Sequence, residues 1–190
     1  MKKFSSVVFT FFVLLAGLVA QKDDTLFGES GLRLTGVWGG PMYGMALYPS
    51  ESPALRGSQI GLEFNRMLTL GVKTERMTRG IALDEAIPER FKMKQKGFFL
   101  AFSPLSNRVV HPRVAFSMAS GEVKSETIKD DIFVVQPRAG LEVNVFKWCR
   151  LGLEGGYNFV SRSDIAGIED EEFSTFFVDF QLRFGFSWGD

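Results

Sequence analysis

Residues 173–188 read Phe-Ser-Thr-Phe-Phe-Val-Asp-Phe-Gln-Leu-Arg-Phe-Gly-Phe-Ser-Trp, and this stretch decides the fold. One parity of the stretch is apolar, whereas polar or small residues dominate the other. The apolar positions are Phe176, Val178, Phe180, Leu182, Phe184, Phe186 and Trp188. A period of two indicates a β-strand with one apolar and one polar face. The alternation outlasts the usual strand of about five or six residues and suits a tilted, bilayer-crossing strand of about 9–11 residues.

The start of the chain has the pattern of a secretory signal peptide. Two lysines precede an uncharged run over residues 4–19, and Ala20 precedes the first charged residues that follow. We therefore predict a signal peptide over residues 1–20 and an outer-membrane β-barrel domain over residues 21–190. The alternative is an uncleaved membrane anchor, but the apolar run of about 16 residues falls short of the ~20 that a spanning helix needs.

The composition excludes two classes of interaction. Loss of residues 1–20 would leave 20 basic against 22 acidic residues, a net charge of −2, which offers no electrostatic basis for binding nucleic acid. Cys149 is the only cysteine, so no internal disulfide can form. The 20 phenylalanines are typical of membrane barrels, which need large apolar side chains toward lipid and aromatic girdles at both interfaces.

Runs with a period of two occur eight times after the signal peptide. They lie at 32–40, 58–65, 67–76, 96–103, 108–119, 132–146, 150–160 and 173–188. Three of the connections are tight turns, whereas those at about 41–57, 77–95, 120–131 and 161–172 are long. Strictly alternating short and long connections are typical of an up-and-down barrel. We predict an all-β, eight-stranded antiparallel transmembrane barrel with extracellular long loops and both termini in the periplasm.

Two prolines interrupt the strand pattern. Pro112 and Pro137 lie within predicted strands, where a proline has no N–H group to donate to the sheet. We therefore predict a bulge or a strand end at each of them.

The polar parity of the strands carries charges of both signs, which we place in the lumen. These residues are Arg33, Lys73, Arg113, Arg138 and Arg183, with Glu63, Glu75, Glu142, Glu154 and Asp179. An eight-stranded barrel is only wide enough for side chains to fill it, and buried charges persist only when they are paired. The sequence therefore predicts a mostly closed lumen filled by ion pairs. The alternative is that these charges are solvated on the outside of a soluble sandwich.

Aromatic residues along the predicted strands are candidates for the membrane girdles. They are Trp38, Phe146, Trp148, Tyr157, Phe184, Phe186 and Trp188. Three of them, Phe146, Trp148 and Trp188, lie at the end of the barrel that carries the short turns, so the sequence supports that girdle best.

The architecture and the terminal Phe184-Gly185-Phe186-Ser187-Trp188 resemble the small outer-membrane barrels of Gram-negative bacteria, in particular the outer-membrane protein A-like barrel. The resemblance covers the whole mature region. It implies an outer-membrane location and recognition of the last strand by the barrel-assembly machinery, although Gly189 and Asp190 follow the terminal aromatic residue. The family contains anchors, adhesins, narrow pores and a few lipid A-modifying enzymes, so the fold alone does not choose among these functions.

Residues suited to catalysis or metal binding are scarce. Enzymatic activity would need a nucleophile beside a base. His111 is the only histidine, and it lacks the His-x-Ser arrangement seen in lipid A deacylases of this architecture. With one histidine and one cysteine, a zinc site is also disfavoured. We therefore predict a histidine in a polar lumen network, no catalytic residues, and no cofactor or metal.

A basic cluster in the second long connection is a candidate for contact with lipopolysaccharide. It consists of Arg90, Lys92, Lys94 and Lys96. Cations next to a membrane gain about 1 kcal/mol each from anionic lipid. The alternative is a solvated loop without a ligand.

These patterns together predict a non-enzymatic outer-membrane barrel with a structural or surface-interaction role. The expected partners are outer-membrane lipids and lipopolysaccharide, together with the barrel-assembly machinery. Two alternatives remain open at the level of sequence. One is a narrow pore or transporter for small solutes, and the other is a soluble periplasmic lipid-binding β-barrel whose apolar parity points inward.

Export predicts a processed N-terminus. We expect the protein isolated from the cell envelope to begin at Gln21, because a small residue at position 20 precedes the first charged residues. N-terminal sequencing and intact mass measure this directly. Retention of residues 4–19 in the mature protein would contradict the signal peptide.

Overall fold

The chain forms a closed barrel of eight antiparallel strands. The computed structural model describes residues 31–82, 89–125, 127–163, 165, 168 and 170–188, so the predicted signal peptide lies outside the described residues. The strands are β1 (Leu34–Leu47), β2 (Ala54–Phe64), β3 (Leu68–Met77), β4 (Lys92–Phe102), β5 (Val110–Lys124), β6 (Lys129–Phe146), β7 (Cys149–Ser161) and β8 (Thr175–Ser187). Each strand pairs with the next, and β8 closes on β1. The predicted all-β, eight-stranded antiparallel barrel is confirmed.

In the described part of the chain a short helix, α1 (Asp170–Phe173), precedes β8. No helix in the described ranges is long and apolar enough to cross a membrane.

Most strands extend further toward one end of the barrel than the alternation of apolar and polar residues in the sequence predicts. We call this end, with the connections 48–53, 78–91, 125–128 and 162–174, the loop end, and the opposite end the turn end. The prediction of strict alternation between short and long connections is wrong. The connection 125–128 is shorter than 103–109 at the turn end. At the loop end the strands continue through glycine, serine and lysine residues, which in sequence look like parts of a loop. They remain in the strand because the neighbouring strand forms hydrogen bonds with their backbone N–H and C=O groups.

The two strand prolines are accommodated without bulges. Pro112 pairs with Leu141, and the ladder from β4 to β5 ends at Val114, before it reaches this proline. Pro137 pairs with Phe116, but it has no partner in the ladder to β7. The predicted bulge or strand end at each proline is therefore wrong. Each proline instead lies where its strand is not paired with one of the two neighbouring strands. The hydrogen bond that its missing N–H group would have donated is therefore not needed there.

Alternate side chains of each strand face the interior and the exterior of the barrel. In β8, Asp179, Gln181 and Arg183 are buried, whereas Phe180 and Phe184 are exposed. The polar parity therefore points inward, and the apolar parity forms the outer surface. This is the reverse of the arrangement required by the soluble lipid-binding alternative.

The interior is layered along the barrel axis. The turn end and the middle are mainly polar and contain a small apolar cluster of Phe99, Ala101 and Ala115, whereas a larger apolar cluster fills the interior at the loop end. The loop-end connections contribute to this cluster through Ile81, Phe91, Ile165, Ile168 and Phe173. The rings of Phe91 and Phe173 meet edge to face with centroids 5.8 Å apart. The described residues of the second and fourth loop-end connections thus cover the mouth of the barrel with apolar side chains.

Adjacent glycines in β7 show how tightly the interior is packed. Gly156 faces inward, and a Cβ atom there would lie 2.4 Å from the Pro137 carbonyl oxygen and 2.6 Å from Cζ of Phe177. Gly155 faces outward, and its nearest contact would be the Phe177 carbonyl oxygen at 3.6 Å. Only the inward position, Gly156, therefore requires a residue without a side chain.

The glycine pair provides a matched test of interior packing. We expect Gly156→Ala to lower the free energy of unfolding by about 1–3 kcal/mol, because the new methyl group overpacks a filled core. Gly155→Ala adds the same atom to an open position and should leave stability nearly unchanged. Urea titration in detergent, followed by the gel mobility of the folded form, measures both. Equal stability of the two variants would contradict the packed interior.

Candidate functional site

The most distinctive chemical feature of the barrel is a buried network of charged side chains. Among the residues that the structure describes, five buried cations oppose five buried anions. The cations are Lys73, Arg113, Arg138, Arg150 and Arg183, and the anions are Glu63, Glu75, Glu142, Glu154 and Asp179. Because an isolated buried charge is very costly, such a set is stable only if it is neutral as a whole and paired in detail.

The network begins near the turn end with Arg150 of β7. Its Nη1 lies 2.8 Å from Oε2 of Glu63, and its guanidinium carbon lies 3.7 Å from the centroid of the Trp38 ring. Ser187 accepts hydrogen bonds from Arg150 Nη2 and Trp38 Nε1, both at 3.1 Å, and donates to Glu63. One arginine thus ties together β1, β2, β7 and β8.

Glu142 of β6 is the second centre of the network. It forms an ion pair with Arg183, and its Oε1 lies 3.6 Å from Arg150 Nη1. The same oxygen lies 3.0 Å from Nε2 of His111, whose Nδ1 lies 3.2 Å from the Arg108 carbonyl oxygen. Both ring nitrogens of His111 therefore face acceptors. The predicted position of this histidine in a polar interior network is what the structure shows.

Two arginines share the acidic groups in the middle of the barrel. Arg113 Nε donates to Oε1 of Glu154 at 2.8 Å. Arg138 pairs with Asp179, and its Nη1 lies 3.7 Å from the other oxygen of Glu154. The Arg138 guanidinium also lies over the Phe177 ring, 4.7 Å from its centroid, where the charged layer meets the apolar cluster.

The charged layer nearest the loop end is completed by amide side chains. Lys73 Nζ lies 3.1 Å from Glu75 Oε2 and donates to Gln136 Oε1 at 2.5 Å. The amide of Gln95 donates to Oε1 of Glu75 at 2.8 Å, and Gln136 donates to Glu75 and to Asn158. Amides carry both a donor and an acceptor, so they satisfy the oxygens and hydrogens that the ion pairs leave over.

Little space remains between these groups. The cavity lined by Leu55, Glu75, Met93, Gln95 and Asn158 has a volume of about 10 Å³. This is at the lower limit of what one water molecule needs. This cavity is therefore too small to hold a solute.

Two sequence-predicted residues lie elsewhere than expected, and a bulge explains one of them, Trp38. The ladder from β1 to β2 shifts register between Leu34 and Gly36, which changes the parity of the first strand. Arg33 precedes β1 and is exposed, so its placement in the lumen network is wrong. Trp38 is buried under Arg150 rather than exposed in a membrane girdle, so that placement is also wrong.

The sequence reasoning missed Arg150, which takes the place of Arg33 in the charge balance. The signal was available, because Arg150 shares its parity with Glu154, an inward residue of the same strand. The other nine predicted lumen residues are buried in the barrel interior.

The remaining predicted girdle residues lie on the outside of the barrel, where Tyr157 is partly buried by neighbouring rings. Phe146, Trp148 and Phe184 stack at the turn end, with centroids 5.2 Å and 6.1 Å apart. Phe186 and Trp188 are exposed at the same end. Tyr157 packs against two phenylalanines, Phe159 at 4.6 Å and Phe176 at 4.7 Å.

Polar contacts hold the loop-end connections in place. Tyr48 donates a hydrogen bond to the Phe173 carbonyl oxygen at 3.0 Å, and burial raises the pKa of the Tyr48 phenol above its usual value. Glu89 accepts hydrogen bonds from Ser125 and Thr127. These bonds favour the carboxylate and lower the pKa of Glu89 below its usual value.

The predicted basic cluster is divided between a connection and a strand. Arg90 lies in the connection 78–91, where its Nη2 donates to Glu51 at 2.5 Å and to the Gly80 carbonyl oxygen at 2.6 Å. Lys92, Lys94 and Lys96 belong to β4 and point outward. The prediction that all four lie in a loop is therefore wrong for the three lysines.

Comparison with known proteins supports the fold. No family model and no curated protein matches the sequence. Neisserial surface protein A is similar in structure, with a TM-score of 0.57 and 13% identity over 83% of this chain and 99% of that chain. Outer membrane protein OprG from Pseudomonas aeruginosa has a TM-score of 0.50 and 8% identity over 85% of this chain and 99% of that chain. The protein thus has the fold of the small eight-stranded outer-membrane β-barrels.

The pair of Arg113 and Glu154 tests whether the interior charges act as pairs. We expect Arg113→Met to lower the free energy of unfolding by about 3–5 kcal/mol, because it leaves a buried carboxylate without its closest partner. Adding Glu154→Met should recover most of this loss, because Arg138 keeps Asp179 and Glu75 as partners. Urea titration in detergent measures all three proteins.

The exposed pair of Arg90 and Glu51 provides the control. Arg90→Met should cost less than about 1 kcal/mol, because water screens an exposed ion pair. If the double variant of the interior pair were no more stable than Arg113→Met alone, the pairing would be refuted.

Proposed function

We propose that the protein is a non-enzymatic integral outer-membrane β-barrel with a structural or surface-interaction role and a closed lumen. The observation that carries this proposal is the orientation of the barrel wall, with an apolar exterior around a neutral, ion-paired interior. A wall of this kind suits hydrocarbon outside and leaves no continuous water path inside.

The dimensions of the exterior fit a bilayer. The outward residues of β8 are apolar from Phe176 to Phe186, which are ten residues apart. At about 3.3 Å per residue and a strand tilt near 40°, they cover about 25 Å along the barrel axis, the height of the apolar band on outer-membrane barrels. The stacked rings of Phe146, Trp148 and Phe184 lie at the lower edge of this band, where a lipid interface favours aromatic residues.

Two barriers in series support a closed lumen. The ion-paired layers fill the middle and the turn end, and the apolar cluster fills the loop end. A narrow pore would need both barriers to open together. The alternative function, a narrow pore for small solutes, can therefore be tested by measuring conductance.

The contacts of His111 support a structural role rather than a catalytic one. One ring nitrogen faces Glu142 and the other faces the Arg108 carbonyl oxygen, so neither is directed at a nucleophile. Among the described residues, no group of three or more metal-ligating side chains is arranged to hold an ion.

The proposal includes a route and an orientation. Residues 1–20 direct export, and the barrel-assembly machinery recognises β8 through its outward Phe184 and Phe186 with the following Trp188. The loop end then faces the outside of a Gram-negative cell, and both termini face the periplasm. Outer-membrane lipids and lipopolysaccharide surround the wall.

Membrane fractionation combined with gel mobility tests the membrane setting. We expect the protein in the outer-membrane fraction, with a folded form that migrates differently before and after boiling. The physical reason is that the closed barrel resists unfolding by detergent at room temperature. Recovery of the mature protein from the soluble fraction without detergent would refute the proposal.

Planar bilayer recording tests the closed lumen. We expect no stable conductance from protein whose insertion is established by the mobility of its folded form. The variant Gly156→Ala, which perturbs interior packing without removing a charge, serves as a comparison. A steady, large conductance from the unaltered protein would favour the narrow pore.

A further inference from the structure

The outer wall near the loop end carries a row of basic side chains on three neighbouring strands. Arg56 of β2, Arg76 of β3 and Lys94 of β4 all point outward and are exposed. Lys92 and Lys96 flank Lys94 on the same face of β4. We call these five residues the basic wall.

The members of the central row are direct cross-strand neighbours. Arg56 pairs with Arg76, and Arg76 pairs with Lys94. Like charges at directly opposite positions destabilise a sheet. Lys94 in turn pairs with Glu122 of β5, but the nearest cation to that carboxylate is Lys129 at 3.0 Å, and in the described part of the chain no ion pair joins the row to a carboxylate. Arg56 and Arg76 therefore have no carboxylate as a direct cross-strand neighbour, and the acidic side chain at the β5 end of the row is engaged by Lys129.

Two further rows lie below the basic row, toward the turn end. Ser58 pairs with Thr74, and their hydroxyl oxygens lie 3.3 Å apart. One step lower, Ile60 pairs with Val72, and Val72 pairs with Phe98. Ile60, Val72 and Phe98 are exposed by 56%, 46% and 69%. The wall thus presents cations, hydroxyl groups and apolar side chains in succession.

The neighbouring strand shows that the basic wall lies within the height of the apolar surface. Arg56 pairs with Tyr43 of β1, and beyond Tyr43 the outward residues Met45 and Leu47 are still apolar and exposed. On β2 the large outward apolar residues end at Ile60, which lies four residues from Arg56 toward the turn end. The apolar band is therefore lower on β2–β4 than on β1.

We propose that the basic wall binds the phosphate groups of anionic lipids in the leaflet at the loop end. An amphiphile matches all three rows, because its phosphate meets the cations while its acyl chains lie on Ile60, Val72 and Phe98. Arginine binds phosphate oxygens with two parallel N–H groups, and lysine adds a point charge. This inference rests on the proposed membrane setting of the barrel.

The basic wall differs in composition from the basic cluster that the sequence predicts. Arg90 is excluded from the basic wall, because its guanidinium binds Glu51 and the Gly80 carbonyl oxygen. Arg56 and Arg76 are added, although they are distant from the lysines in sequence. A soluble polyanion would need only the cations, whereas the exposed apolar row directly below them favours a lipid.

Lipid retention in nanodiscs tests the inference. The mature protein is reconstituted in nanodiscs of phosphatidylcholine, either alone or mixed with phosphatidylglycerol. Native mass spectrometry then counts the phosphatidylglycerol molecules that stay bound when the protein is released from the disc. We expect the variant Arg56→Gln/Arg76→Gln/Lys94→Gln to retain about tenfold less, because each cation contributes to attraction of an anionic lipid. The heat-dependent gel mobility of each variant checks that its barrel is folded.

A matched variant controls for overall charge. Arg66→Gln/Arg108→Gln/Lys147→Gln removes three cations at the turn end and should retain phosphatidylglycerol as the unaltered protein does. Equal loss from both triple variants would overturn the inference, because attraction would then depend on net charge alone. Heparin binding to the detergent-solubilised protein that phosphatidylglycerol does not displace would also overturn it, in favour of a soluble polyanion.

The outcomes separate the inference from the function on which it rests. A barrel that folds in phosphatidylcholine but shows no preference for phosphatidylglycerol would overturn the lipid site and leave the membrane setting intact. A protein that forms no folded species in either kind of disc would refute the membrane setting itself.

Discussion

The pairing of buried charges is the constraint on which the rest of the structure depends. Five cations and five anions lie in a space that leaves almost no room for water, so each must meet a partner of opposite sign. The partners come from different strands: Arg150 of β7 meets Glu63 of β2, and Arg138 of β6 meets Asp179 of β8. A slip of one residue in any ladder would turn a charge toward the exterior. The ion pairs therefore specify the register of the barrel while they close its lumen.

The apolar cluster at the loop end complements this network. Large side chains from the second and fourth connections, such as Phe91 and Phe173, enter the mouth of the barrel and cover the last charged layer. Arg138 lies over the Phe177 ring at the boundary between the two layers. A polar interior under an apolar cluster supports the closed lumen that we propose. That proposal places the function of the protein at the surfaces of the barrel, namely its loop end and its outer wall.

The outer wall is not uniform around the barrel. On β8 the outward residues remain apolar up to Phe176, whereas on β2–β4 cations and hydroxyl groups begin well below the loop end. In the membrane setting that we propose, a bilayer of constant thickness would not match both sides equally, and the lipid headgroups of the proposed site would reach down to the cations on the lower side. The asymmetry arises only when β2, β3 and β4 lie side by side, because Arg56, Arg76 and Lys94 are far apart in the sequence.

The sequence by itself determined the strands and the faces of most of them, because side-chain alternation is a local property of each strand. The eight strands and nine of the ten predicted lumen charges could be read in this way. Tertiary structure decided what depends on pairing between distant segments. The bulge near the start of β1 turns Trp38 inward, Arg33 precedes the strand and is exposed, and Arg150 completes the balance of the buried charges. Strand lengths at the loop end were likewise unreadable, since glycine, serine and lysine continue a strand only when a neighbouring strand supplies their hydrogen bonds.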